Sequence, residues 1–288
     1  MDRTRALGVC QVSDSVKIAR ASLHFWEEPC ISGEKGSGAV FFSGCPLHCV
    51  FCQNEAISHG KIGKNISVDE LVDIYLDLQM QGANNINLVT GTHYIPSIVE
   101  SVTIARSRGL NLPIIYNTSG YETVDSLKLL EGIVDVYLPD FKYMDSALSL
   151  KYSHASDYPE VAKAAIDEMV RQCPKVVFND AGFITSGVII RQLLLPGHVH
   201  DAKAIVKYLV DNYGQAVYIS LMSQYTPMPH IVDRYPELNR RVTKREYDSL
   251  IDYSLDIGLV NAFIQDRHVA KESFIPDFNG EGINEKRN

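Results

Sequence analysis

The stretch Ala39-Val40-Phe41-Phe42-Ser43-Gly44-Cys45-Pro46-Leu47-His48-Cys49-Val50-Phe51-Cys52 couples a four-residue apolar run to a loop holding three thiols. Three residues separate the first pair of cysteines and two separate the second. The apolar run is of strand length and the loop follows it directly, so the thiols are expected just beyond a strand C-terminus. A loop of this length can wrap three sulfurs around one iron-sulfur cube, because soft thiolates are preferred ligands of iron in such clusters. Three ligands would leave a fourth iron open. Zinc is the competing occupant, and it would want a fourth protein ligand; His48, inside the loop, is of the right type.

Working outward, strand-length apolar runs alternate with helical patterns along the chain. Further strands are predicted at 86–90, 113–116, 134–138, 188–195 and 217–221, with 39–42 as the first. Ser67 and Glu70 form a capping box ahead of Leu71, Ile74, Tyr75 and Leu78, which share one helical face. A helical pattern through Ile98, Val102 and Ala105, a short one near Leu127 and Leu130, a long insertion including 161–170, and a final amphipathic helix at 246–257 complete the set. Strand-helix repetition of this kind implies parallel strands joined by right-handed crossovers. Periodicity alone leaves an open doubly wound sheet and a partly closed barrel both standing, and either places chemistry at the strand C-termini.

The chain has 288 residues, 45% of them hydrophobic and 22% charged, which suits a globular protein with a sizeable core. Its net charge of −8 argues against a nucleic-acid scaffold. Residues 1–6 carry two arginines and no apolar run, so no secretory signal is expected, and no run is long enough to span a membrane. A cytoplasmic location is the expectation. Six cysteines, three of them within eight positions, point to metal or catalysis rather than a disulfide framework; Cys10, Cys30 and Cys173 have no metal spacing and read as buried thiols.

The pattern Cys-x-x-x-Cys-x-aromatic-Cys after a first strand, with Phe51 in the aromatic slot, resembles the signature of the radical S-adenosylmethionine superfamily. The likeness extends over most of the chain to the branch similar to pyruvate formate-lyase activating enzyme. It is carried by Glu27-Glu28-Pro29-Cys30-Ile31-Ser32-Gly33 and by residues 36–54, 116–121, 135–143, 191–197 and 222–227. The resemblance implies a partial (β/α)6 barrel spanning 38–265, with an N-terminal extension at 1–37 and a C-terminal tail at 266–288. It also implies a 4Fe-4S cluster on Cys45, Cys49 and Cys52 whose open iron chelates S-adenosyl-L-methionine. An electron from flavodoxin or ferredoxin would then yield methionine and a 5′-deoxyadenosyl radical that abstracts hydrogen from a substrate. A glycyl-radical enzyme is one such substrate. A non-catalytic iron-sulfur protein, transferring electrons or sensing iron, is the alternative from a different class.

Further candidates sit after the other strands. In Thr90-Gly91-Thr92-His93, Gly91 would let the backbone approach a cosubstrate and Thr92 would hydrogen-bond it, at a turn where the superfamily usually carries Gly-Gly-Glu. Asn117 and Ser119 match a polar turn that faces the cosubstrate in activating enzymes, which commonly have Asp at the position of Asn117. Asp140 and Lys142 straddle Phe141, so in extended geometry they point the same way and can pair; they are the candidate catalytic residues. Arg191, in an apolar strand, needs a partner, and a cosubstrate carboxylate would suit its fork. Gln224, with Tyr225, is placed to contact adenine or substrate.

Overall fold

A computed structural model describes residues 7–231, 233–265, 276 and 278–283. Residues 1–6, read above for a signal, and most of the expected 266–288 tail lie outside them. The strands are β1 (Lys17–His24), β2 (Ser37–Phe42), β3 (Lys64–Asn65), β4 (Ile86–Val89), β5 (Ile114–Thr118), β6 (Val136–Pro139), β7 (Val177–Phe178), β8 (Ile184–Leu193), β9 (Tyr218–Met222) and β10 (Ala262–Ile264). All six predicted strands are present as β2, β4, β5, β6, β8 and β9.

Their order settles the architecture. From one edge the sheet runs β10-β9-β8-β6-β5-β4-β2-β1-β3, and every neighbouring pair from β2 to β10 is parallel. The parallel strands follow chain order without reversal, whereas a doubly wound sheet reverses at a switch point. Strands wound in one direction curl into a barrel, and the two distinct sheet edges leave it partial. β10 was not foreseen, because three residues carry no readable periodicity. β1, inside the expected N-terminal extension, adds antiparallel to β2.

Alternation along the strands sorts the two faces. Ile114, Tyr116, Tyr137, Val188 and Ile190 pack outward into the large core shared with the helices. Ile115, Val136, Leu138 and Ile189 point inward. The helices are α1 (Pro29–Ser32), α2 (Glu55–Ser58), α3 (Val68–Met80), α4 (Ile95–Ser107), α5 (Val124–Lys128), α6 (Ser146–Ser153), α7 (Tyr158–Gln172), α8 (Val199–Tyr213) and α9 (Lys244–Asp256). Both bonds of the Ser67–Glu70 capping box form at the start of α3.

The short α1 packs into the barrel, because Cys30 and Ile31 join the inward cluster rather than the outer core. Asn84 and Asn85, just ahead of β4, donate to the carbonyls of Ser32 and Ile31 at 2.7 and 2.8 Å. α1 therefore plugs the barrel at the strand N-termini and leaves the other end open for a site. No helix among the described residues is long and apolar enough to cross a membrane.

Candidate functional site

The cysteine loop leaves β2 through Gly44, whose φ is +93°; a Cβ there would sit 2.6 Å from the Cys10 carbonyl oxygen, so a side chain is excluded. His48 also takes a positive φ, 49°, turning its ring toward the Val9 carbonyl at 2.9 Å and into a stack on His59 at 4.8 Å. That engagement occupies Nε2, and the candidate fourth zinc ligand does not line the cavity that the cysteines share. The far side of the loop is fixed by α6: Val50 N donates to Tyr152 O at 2.8 Å, and Ser153 Oγ donates to Cys49 Sγ at 2.9 Å.

Of the six cysteines, Cys45, Cys49 and Cys52 line one cavity of about 840 Å³. Burial pushes the Cys45 thiol up to about 11, with a further push from Cys49, and pushes Cys52 up to about 12, with further pushes from Cys49 and Cys45. Burial likewise raises Cys49. Crowded thiols in a dry wall need a cation before they ionise, and a bound metal centre supplies it. Among the described residues no three His, Cys, Asp or Glu side chains gather as the ligands of a single ion. Three soft donors facing one cavity fit a multi-iron cluster.

The strand C-termini bring polar groups to the same cavity: Thr90 after β4, Asn117 and Thr118 at the end of β5 with Ser119 just beyond it, Asp140 and Lys142 after β6, and Gln224 after β9. Lys142 Nζ donates to Asp140, so the pair expected from the Phe141 spacing forms. Burial alone would pull the Lys142 ammonium down, but Asp140 and the nearby Cys49 sulfur more than offset it, keeping it cationic. Tyr158, from the first turn of α7, locks these turns together. Its hydroxyl reaches the carbonyls of Ser119 and Asp140 at 2.8 and 3.0 Å and accepts from Lys142 N at 2.9 Å. Ser119 Oγ is buried against the cavity with no hydrogen-bond partner among the described residues. Gly120, with φ +75°, permits this approach, because a Cβ would lie 2.5 Å from the Asp140 carbonyl oxygen.

Deeper in the barrel Arg191 lines the same cavity and finds the partner it was expected to need within the protein. Its side chain points inward, as β8 alternation requires, but its partners belong to the protein. Nε donates to Glu28 Oε1 at 2.9 Å, and Nη2 donates to both Glu28 and Glu27. Two carboxylates of the chain itself thus hold the Nε and Nη2 side of the fork. Burial pushes the Glu28 carboxyl up, and the Arg191 charge and hydrogen bonds outweigh it, holding Glu28 below the usual range. Glu27 Oε1 also accepts from Asn87 at 3.0 Å and from Asn117 at 3.3 Å, tying the N-terminal segment to β4 and β5.

The turn after β4 presents Thr90 to the cavity in place of the expected Gly91 and Thr92. Gly91 faces α4 and Phe42, where a Cβ would meet Ile98 Cδ1 at 2.5 Å, and neither it nor Thr92 lines the cavity. Thr90 does, at a φ of 60° that is unusual for a β-branched residue. Thr92 Oγ1 instead donates to Glu122 Oε1 at 2.7 Å, and Thr118 donates to the same oxygen. Phe51 lines the cavity and packs edge-on to Tyr143 and Tyr225 at 6.4 and 6.2 Å. Tyr225 itself is buried with its hydroxyl on Leu238 O, which leaves Gln224 as the member of that pair on the cavity.

Sequence reasoning assigned no role to Glu27, Glu28, Glu122, Ser153 or Tyr158. The nearest signal was Glu27-Glu28 itself, two adjacent acids heading a buried apolar turn, with one arginine in an inward strand position to answer them.

Fold and loop together define a partial α/β barrel carrying three sulfur donors at its strand C-termini. The Radical SAM superfamily model matches residues 39–186, about half of the chain, and the protein belongs to that superfamily. Its cofactors are accordingly a 4Fe-4S cluster and S-adenosylmethionine. The chain is 29% identical over 271 residues to Uncharacterized protein MJ0674 of Methanocaldococcus jannaschii, covering 89% of this chain and 73% of that one. In fold it is similar to the FeFe-hydrogenase maturase HydG from Carboxydothermus hydrogenoformans, with TM-score 0.54, 13% identity, and coverage of 80% of this chain and 54% of that one. It is also similar to Streptococcus suis SuiB bound to precursor peptide SuiA, with TM-score 0.53, 13% identity, and coverage of 78% and 47%. The chain thus spans about half the length of these two structures.

Proposed function

We propose that this protein is a radical enzyme that cleaves S-adenosylmethionine reductively, with Cys45, Cys49 and Cys52 as the ligands of its cluster. The observation that carries the reading is that these three thiols, and no other cysteine, face the cavity into which the β5, β6 and β9 turns project their polar groups. When bound, the cluster supplies one electron to the sulfonium of S-adenosylmethionine, giving methionine and a 5′-deoxyadenosyl radical that takes a hydrogen atom from substrate.

The chain's own part is placement and dryness. Lys142 and Asp140 present an ammonium and a carboxylate side by side near Cys49, a pattern that orients a zwitterion such as the amino-acid end of S-adenosylmethionine. Ser119 Oγ and the Asn117 amide offer hydrogen bonds within the same wall, and Gln224 offers another from the β9 side. Phe51, Val89, Leu193 and Met222 supply apolar lining that excludes water. In this reading the catalytic core is 38–265, completed from below by Glu27 and Glu28 of the 1–37 segment.

A cytoplasmic setting suits six free cysteines, and a flavodoxin or ferredoxin is the matching class of one-electron donor. Phe25, Trp26 and Ile264 are exposed and line the same cavity, so we favour a polypeptide substrate, a glycyl-radical partner among them. The neighbour SuiB is bound to a peptide.

The test is anaerobic reconstitution with iron and sulfide, followed by S-adenosylmethionine and dithionite. A spectral change on adding S-adenosylmethionine and release of 5′-deoxyadenosine are expected. Each of Cys45→Ala, Cys49→Ala and Cys52→Ala should reduce that release to background while the barrel stays folded. Sustained release from any one of them overturns the ligand assignment. A well-formed cluster with no release would favour electron transfer or sensing instead.

A further inference from the structure

We infer that Ser153 is a positioning residue for the cluster: its hydroxyl, backed by Tyr143, donates to the Cys49 sulfur and makes the bound cluster easier to reduce. The inference rests on the ligand assignment proposed above and concerns how one ligand is tuned.

Ser153 Oγ lies 2.9 Å from Cys49 Sγ and 2.7 Å from Tyr143 Oη. A serine hydroxyl has one hydrogen. Directed at the sulfur, it leaves Ser153 Oγ as the acceptor and Tyr143 as the donor, so the three groups form a chain pointing one way, from phenol to serine to sulfur. Ser153 is 1% exposed and Tyr143 is fully buried. Two hydroxyls in such a place need partners, since an unmade hydrogen bond there costs about 1–3 kcal/mol. Each satisfies the other, and the chain terminates on the sulfur.

Cys49 is singled out by where its donor comes from. Cys49 alone is served by a side chain from another element, at the last residue of α6. The geometry is held firmly, because Val50 N donates to Tyr152 O at 2.8 Å, fixing the residues adjacent to Cys49 and Ser153 together. Lys142 adds a positive charge beside the same sulfur.

Hydrogen bonds to cluster sulfurs are among the factors that set reduction potential. A donor draws electron density from the thiolate and stabilises the state holding one more electron. The couple gains that electron from an external low-potential donor of the flavodoxin or ferredoxin type. Ser153 and Tyr143 keep their protons throughout.

The experiment compares the parent chain with Ser153→Ala, Ser153→Thr and Tyr143→Phe, each reconstituted anaerobically, with iron and sulfide per chain measured before the midpoint potential. Equal iron is expected in all four. Ser153→Ala should move the potential to more negative values, Ser153→Thr should restore it, and Tyr143→Phe should move it the same way by less. An unchanged potential in Ser153→Ala overturns the inference and leaves the ligand assignment standing. No cluster in the parent chain sinks the ligand assignment itself. If Ser153→Ala takes up no iron, Tyr143→Phe decides: a negative shift supports the chain and an unshifted potential overturns it.

Discussion

Glu28 and Glu122 are buried almost equally, at 7% and 3% exposure, yet their carboxyls shift in opposite directions. Burial drives both upward. At Glu28 the Arg191 guanidinium reverses the drive, so this carboxyl stays ionised below its ordinary range. At Glu122 the hydroxyls of Thr118 and Thr92 oppose burial without overcoming it, and Asp140 adds to the rise. Neutral donors satisfy a carboxyl; a cation is what keeps it charged in a dry site. The barrel thus holds an ionic lock at its floor and, behind the β4 and β5 turns, a carboxyl biased toward its protonated form.

The strongest way to break this contrast is Arg191→Met. It strands Glu27 and Glu28 without their cation, and a loss of about 3–5 kcal/mol is expected, read from the urea midpoint. Wild-type-like stability in this variant would mean that the floor is not held by charge. Glu28→Gln is the milder cut. Arg191 keeps Glu27, so about 1–3 kcal/mol should go.

Glu28→Gln should also change the acid limb. A carboxyl held below its unfolded value stabilises the fold above that value, roughly pH 4.3, and the stabilisation fades as pH falls through the folded one. The variant should therefore lose less stability than the parent on acidification.

The smallest effect belongs to Glu122→Gln, and its sign is opposite. A raised carboxyl retains in the fold a proton that the unfolded chain releases, so the parent's stability falls as pH rises from the ordinary carboxylate value through the raised one. An amide removes that slope, and the variant should match or exceed the parent near neutrality in pH-resolved denaturation. A variant that keeps the parent's slope would place the proton elsewhere.

Much of the barrel was legible because its strands are locally encoded. The six apolar runs from 39–42 onward announce themselves, and the cysteine loop and the pair astride Phe141 follow from spacing within a few residues. β10 was too short to show a period. Arg191 was expected to need a partner, but the carboxylates that hold it lie 163 and 164 residues away, and no local pattern links them. Gly91 was read for backbone freedom, whereas its missing side chain makes room for Ile98 on α4, a tertiary demand. Ser153 closes a helix in the long insertion, and only the docking of α6 brings its hydroxyl to a sulfur 104 positions earlier. Local chemistry is written in spacing; contacts across the barrel are written in topology.

The wide separation of Glu28 from Arg191 also bears on biogenesis. At about 5–20 residues per second, a ribosome takes roughly 8–33 s to travel the 163 positions between them. For that interval the two acids are out of the peptidyl-transferase centre with no guanidinium to meet. Glu28 thus receives its cation only when β8 arrives, and closure of the barrel floor waits until most of its staves have been synthesised.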